Sequence, residues 1–215
     1  MTTEVSTTSW VMLVALGAFH GINPGMGWLF AVALGMQERR RSAVLRALMP
    51  LGVGHALAVA GAVGAAMAIG TAIPLRFLRW PVATVLVSLG ILRFFRHRHP
   101  RWASMRVGMC GLTAWSFLMA TAHGAGLMVV PIFLNMSMAC EGEHLHHLPA
   151  GIGTNGGLAV AATGLHTVSY LGVTAMIAVL VFERIGVGIL RRAWFNLDLI
   201  WGGALVGTGA TTLMI

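Results

Sequence analysis

The sequence predicts an all-α membrane protein whose six transmembrane helices form two inverted three-helix repeats. Three observations predict it. The 215 residues are 57% hydrophobic and only 9% charged, with a mean hydropathy of +0.83, whereas soluble domains carry about 25% charged residues. The basic residues are gathered into alternate loops. Four histidines inside the apolar stretches fall into two matching pairs, with one member of each pair in each half.

The apolar stretches run over residues 10–36, 47–73, 81–95, 107–136, 157–182 and 194–215. Most are long enough to cross a hydrocarbon core about 30 Å thick. The third is short and extends toward an arginine-bearing end. All six belong to a single transmembrane domain over residues 1–215, with repeat one near 9–106 and repeat two near 107–215.

The loops set the orientation. All 14 basic residues are arginines. Arg39, Arg40, Arg41 and Arg46 follow the first span, Arg93, Arg96, Arg98, Arg101 and Arg106 follow the third, and Arg184, Arg191 and Arg192 follow the fifth. Only Arg76 and Arg79 fall on the other side. Retention of arginine in cytoplasmic loops places the first group inside and both termini outside. The first span then runs inward and the fourth outward, which is inverted topology. Residues 1–9 lack a basic n-region, so no cleaved signal peptide is expected. The expected location is a bacterial cytoplasmic membrane. The net charge of +8 serves orientation, and a nucleic-acid partner is not expected. Cys110 and Cys140 form no CxxC, so dithiol chemistry has no support.

His20 and His123 each precede a glycine, Gly21 and Gly124. His55 and His166 each precede a glycine by six residues, Gly61 and Gly172, and a small residue by three, Ala58 and Ser169. A histidine at bilayer depth is costly and marks a pathway or a site. Any one of them alone is explained by a bond to a neighbouring helix backbone. Two matched pairs point instead to a shared site between repeats.

The sharpest segment is His20-Gly21-Ile22-Asn23-Pro24-Gly25-Met26-Gly27. Proline removes a backbone donor and kinks a helix, and the glycines permit close approach. A helix broken at mid-membrane exposes carbonyls and amides that can hold an ion or a polar substrate. His20, His55, His123 and His166, with Asn23 and Met26, are the candidate site residues. His123-Gly124-Ala125-Gly126 lacks the Asn-Pro, and its nearest following proline is Pro131. Tyr170 and Ser169 share a helical face with His166.

A second candidate follows the fourth span, as an outer loop containing Met136, Met138, Cys140, Glu141, Glu143, His144, His146 and His147. Thioether, thiol and imidazole together suit soft or borderline metals. An acidic solvated loop is the plainer reading, and the spacing fits no fixed zinc signature. His97 and His99 sit in a basic cytoplasmic loop suited to lipid headgroups. Asp198 and Asn196 open the sixth span, where a helix N-terminus favours an acid.

The first-span pattern His20, Asn23 and Pro24, with Gly54 and His55 in the second span, resembles the nickel/cobalt transporter (NicO-like) family of small inverted-repeat transporters. The resemblance covers the first two spans and the six-helix layout. It implies a transport scaffold and a transition-metal substrate. The chain departs from the family motif after that. Asn23 stands where an acid is expected before the proline, and Gly25 and Met26 stand where a following acid and histidine would be. With those carboxylates gone, Met26 and neutral histidines suit a softer, less charged ion such as Cu(I).

The sequence thus points to a transporter of a transition-metal cation (nickel, cobalt, copper or zinc) and to no enzyme, because no base–nucleophile–orienter set lies in the spans. One alternative is a redox subunit binding copper, or haem b between paired histidines. Another is an accessory subunit of a larger membrane complex. The expected partners are the lipid bilayer and the metal ion, with a homo-oligomer or a larger complex left open.

Overall fold

The structure, a computed structural model, describes residues 7–70, 75–95, 108–143, 152–185 and 197–214. Every element among them is helical: α1 (Thr7–Ile22), α2 (Trp28–Glu38), α3 (Arg41–Gly70), α4 (Leu75–Phe95), α5 (Met109–Ala122), α6 (Ala125–Glu143), α7 (Ile152–Leu180) and α8 (Leu197–Met214). A 3₁₀ turn, Pro24–Met26, joins α1 to α2, and a π turn, Val181–Ile185, ends α7. By length and composition two stretches can each cross a membrane, Arg41–Gly70 and Gly156–Arg184. A third is α5 with α6, bent by 61°, if the pair counts as one span.

The side-chain distribution is that of a protein with apolar surroundings. Met49 on α3 is 77% exposed and Val160 on α7 is 75% exposed, while His20, His55, His166 and Thr174 are fully buried. Large apolar side chains turned outward over whole helices fit contact with lipid rather than water.

The first apolar stretch is broken into two helices, α1 and α2. Pro24 has no N–H to give and disfavours helix in the residue before it. Asn23 accordingly takes an extended conformation (φ −69°, ψ 120°), and its side-chain oxygen accepts from the Gly25 N–H at 2.9 Å. Gly27 then lies at φ 133°, where a side chain would be strained, and a Cβ there would run into Leu51. The fourth stretch breaks too, at Gly124 (φ 73°), with His123 capping α5. No proline is needed there. Pro131, at the seventh position of α6, leaves that helix unbroken.

Glycine seams set the packing. α1 lies along α7, where a Cβ on Gly17 would overlap the His166 carbonyl and one on Gly21 would stand 2.7 Å from the Tyr170 carbonyl. α3 lies along α5, where a Cβ on Gly54 would overlap the Thr113 carbonyl. α4 and α8 run antiparallel, with Gly90 against Gly202 and Val206, and Gly209 against Ala83 and Val87. Such small-residue contacts let helices approach without a side chain between them. Gly61 and Gly172, the glycines of the matched histidine pattern, pack against nothing within 4 Å.

Two apolar clusters result. One gathers Leu13, Met26, Val59, Met128, Phe133 and Tyr170. The other gathers Trp28, Val32, Val44, Leu51, Ala178 and Val181, near the arginine-rich ends of α2, α3 and α7. Beyond it Arg41 pairs with Glu183 at 3.0 Å and Arg46 pairs with Glu38. Both pairs are exposed, and such pairs contribute little energy.

Candidate functional site

Three helices bring three histidines together. His20 lies on the last turn of α1, His55 near the middle of α3, and His166 near the middle of α7. Their ring centres form a triangle of 5.1 Å (His20–His166), 5.3 Å (His55–His166) and 5.7 Å (His20–His55). Sequence spacing placed these residues on separate spans. The seams at Gly17, Gly21 and Gly54 close the distance, because each helix meets its neighbour backbone to backbone.

The backbone fixes the rings. His20 Nδ1 lies 2.6 Å from the Leu16 carbonyl oxygen, and His166 Nδ1 lies 3.2 Å from that of Leu13 across the α1–α7 seam. A carbonyl only accepts, so each Nδ1 carries the proton and Nε2 keeps the lone pair. A second-shell bond at one nitrogen that orients the other is the usual arrangement of a metal-ligating imidazole. His55 differs. Both of its ring nitrogens are buried and make no hydrogen bond within the protein, and the same holds for Nε2 of His166. Buried polar atoms left in this condition are rare, and each needs a reason.

His123 is buried at the end of α5 and donates from Nδ1 to the Met119 carbonyl at 2.8 Å, the same four-residue return that His20 makes to Leu16. The two His-Gly motifs therefore share one local device at the two helix breaks.

Tyr170 belongs to the site and was singled out only as a neighbour of His166 on the helix. Its ring stacks flat on His55, with centres 4.0 Å apart and planes within 13°. Its hydroxyl donates to the Met26 carbonyl at 2.6 Å. It is the chain's one tyrosine, a signal legible in the sequence. The other carbonyls near the break are also taken: Trp28 Nε1 donates to Ile22 at 2.9 Å and Trp115 Nε1 to Gly25 at 3.3 Å. The break is thus clamped by side chains from α2, α5 and α7. Asn23 acts as its turn cap, and Met26 is buried in the core with its carbonyl held by Tyr170. Of the carbonyls expected to be free at the broken helix, those of Ile22, Gly25 and Met26 are committed to these donors.

Removing the phenol oxygen alone gives a direct check. Tyr170→Phe keeps the stack on His55 and leaves the Met26 carbonyl without its donor. The expected loss is about 1–3 kcal/mol, the cost of a buried unsatisfied group, read as a lower melting temperature in detergent. An unchanged melt would show that the clamp carries no energy.

Among the described residues no group of three or more His, Cys, Asp or Glu is arranged to hold a metal ion. The ring centres nevertheless have the right spacing, since imidazoles sharing one tetrahedral ion through bonds of about 2.0–2.1 Å stand roughly 5 Å apart. The supposed outer metal loop begins as helix. Met136, Met138, Cys140 and Glu143 all lie on α6, because that helix restarts at Ala125 and runs on to Glu143. Met136 is buried in the core rather than turned toward a loop. His144, His146 and His147 lie outside the described residues.

Compared with protein-family models, curated proteins and solved structures, the chain matches none.

Proposed function

We propose that this chain is a membrane transporter of a transition-metal cation, with nickel, cobalt, copper and zinc as the substrate class. His20, His55 and His166 would hold the ion in passing, and His123 would stand beside them. One observation carries the proposal. Three imidazoles from three helices meet at full burial, two of them oriented by backbone carbonyls and the third with no protein hydrogen bond at all. A packing role does not account for His55, because packing histidines have partners.

The proposed architecture is six spans in two inverted repeats, with α1–α4 as one and α5–α8 as the other. Several features support it. α1 packs on α7 as α5 packs on α3, and α4 meets α8 antiparallel. Each repeat opens with a broken helix carrying a His-Gly motif held by its own backbone. The arginine bias puts both termini outside a bacterial cytoplasmic membrane. The resemblance of His20, Asn23, Pro24, Gly54 and His55 to the NicO-like motif adds weight to transport. Haem is disfavoured, because the rings stand 5.1–5.7 Å apart with Tyr170 flat on His55, and a macrocycle needs an open slot between its axial ligands.

The test is flux into liposomes reconstituted with the purified protein and filled with a metal-responsive dye. Uptake of at least one of the named cations above protein-free liposomes is expected. Absence of uptake for every one of them, in protein that is folded and inserted, would point to an accessory role and end the transport reading.

A further inference from the structure

We infer that the cation this site takes is monovalent and soft, of the Cu(I) or Ag(I) kind, rather than a divalent nickel, cobalt or zinc ion. The inference rests on the transport reading and narrows its substrate.

Charge carries the first part. The chain has six carboxylate side chains, Glu4, Glu38, Glu141, Glu143, Glu183 and Asp198. None lies on α1, α3, α5 or α7, the helices that form or back the histidine cluster. Glu38 and Glu183 are exposed and paired with Arg46 and Arg41. Glu141 and Glu143 lie on the last turn of α6, and Asp198 opens α8, a helix that packs on α4 and α6. The cluster therefore offers only neutral donors. The solvation penalty of an ion in a low-dielectric interior grows with the square of its charge, and a buried charge without a counter-charge is among the costliest states in a protein. A divalent ion would meet about four times the penalty of a monovalent one, with no carboxylate to offset it.

Donor number and type carry the second part. Nickel, cobalt and zinc demand filled coordination shells, tetrahedral or larger. Cu(I) and Ag(I) are satisfied by few nitrogen or sulfur donors. His20 and His166, each with Nδ1 bonded to a carbonyl, present Nε2 as the donor atom, and their rings are the closest pair of the three at 5.1 Å. His55 has no protein hydrogen bond to break if it turns toward the ion.

The experiment compares five cations in the same reconstituted liposomes: Ag(I), Cu(I) kept reduced by ascorbate, Ni(II), Co(II) and Zn(II). Current is recorded alongside flux. The expected result is Ag(I) and Cu(I) entry at least roughly tenfold faster than any divalent ion, a difference of about 1.4 kcal/mol, with one charge moved per ion. His20→Ala and His166→Ala should each remove that flux. Divalent entry at an equal or higher rate overturns the inference and leaves the transport reading standing. Entry of none of the five overturns both.

Discussion

A His55→Ala protein will fold and insert normally and will carry cation flux reduced by more than about 10–100-fold, the loss typical of disturbing even the outer shell of a metal site. The two halves of that result come from the same fact. Neither ring nitrogen of His55 bonds to the protein, so truncation leaves no backbone group orphaned. What is lost structurally is the stack on Tyr170, worth about 0.5–1.5 kcal/mol beyond buried area for an aromatic pair, together with the ring contacts to His20 and His166 and the buried volume of the ring. His20→Ala makes the contrast, since it removes the donor to the Leu16 carbonyl and should lower stability as well as flux. Detergent melting and liposome flux on the same preparations separate the two effects. Normal flux through His55→Ala would remove the histidine triangle from any account of transport.

Gly54→Ala will destabilise the protein severely, and Gly61→Ala on the same helix will not. A Cβ at position 54 would overlap the Thr113 carbonyl and stand 2.8 Å from Ser116 Cβ and 2.9 Å from the Phe117 nitrogen. Those are backbone atoms or atoms close to it, so no rotamer change relieves the clash, and overpacking of this kind costs about 1–3 kcal/mol or more. At position 61 the added methyl meets nothing within 4 Å. There alanine brings only its better helix propensity, about 0.8–1.0 kcal/mol in a helix interior. Melting temperatures should therefore move in opposite directions. Equal losses at the two positions would mean that α3 does not ride on α5 through Gly54.

The sequence makes the helical class, the apolar stretches and the histidines legible, because composition and hydropathy act locally. Pro24 announces an interruption and Asn23, a natural turn cap, announces its form, yet the stretch reads as one span because the apolar run never stops. The second break is harder to see. It depends on Gly124 adopting φ 73°, which any of several glycines could do, while the conspicuous Pro131 sits quietly within α6. The glycines six residues after His55 and His166 catch the eye and pack against nothing. Those that matter, Gly17, Gly21 and Gly54, are marked only by partners on other helices. The matched pairs announce a shared histidine site, but that His20, His55 and His166 are the three that meet is a property of the seams. The reach of α6 through Met136 and Cys140 was hidden because a polar, metal-friendly composition reads as loop even where the helix continues.

The seams also apportion the three histidines between helix pairs. Gly17 and Gly21 weld α1 to α7, so His20 and His166 travel together, and the hydrogen bond from His166 to Leu13 crosses that weld. Gly54 welds α3 to α5, so His55 travels with the other pair. The three imidazoles are thus shared out between two seams, two on one and one on the other. Under the transport proposal, moving one seam past the other would withdraw His55 alone and leave His20 and His166 as a pair.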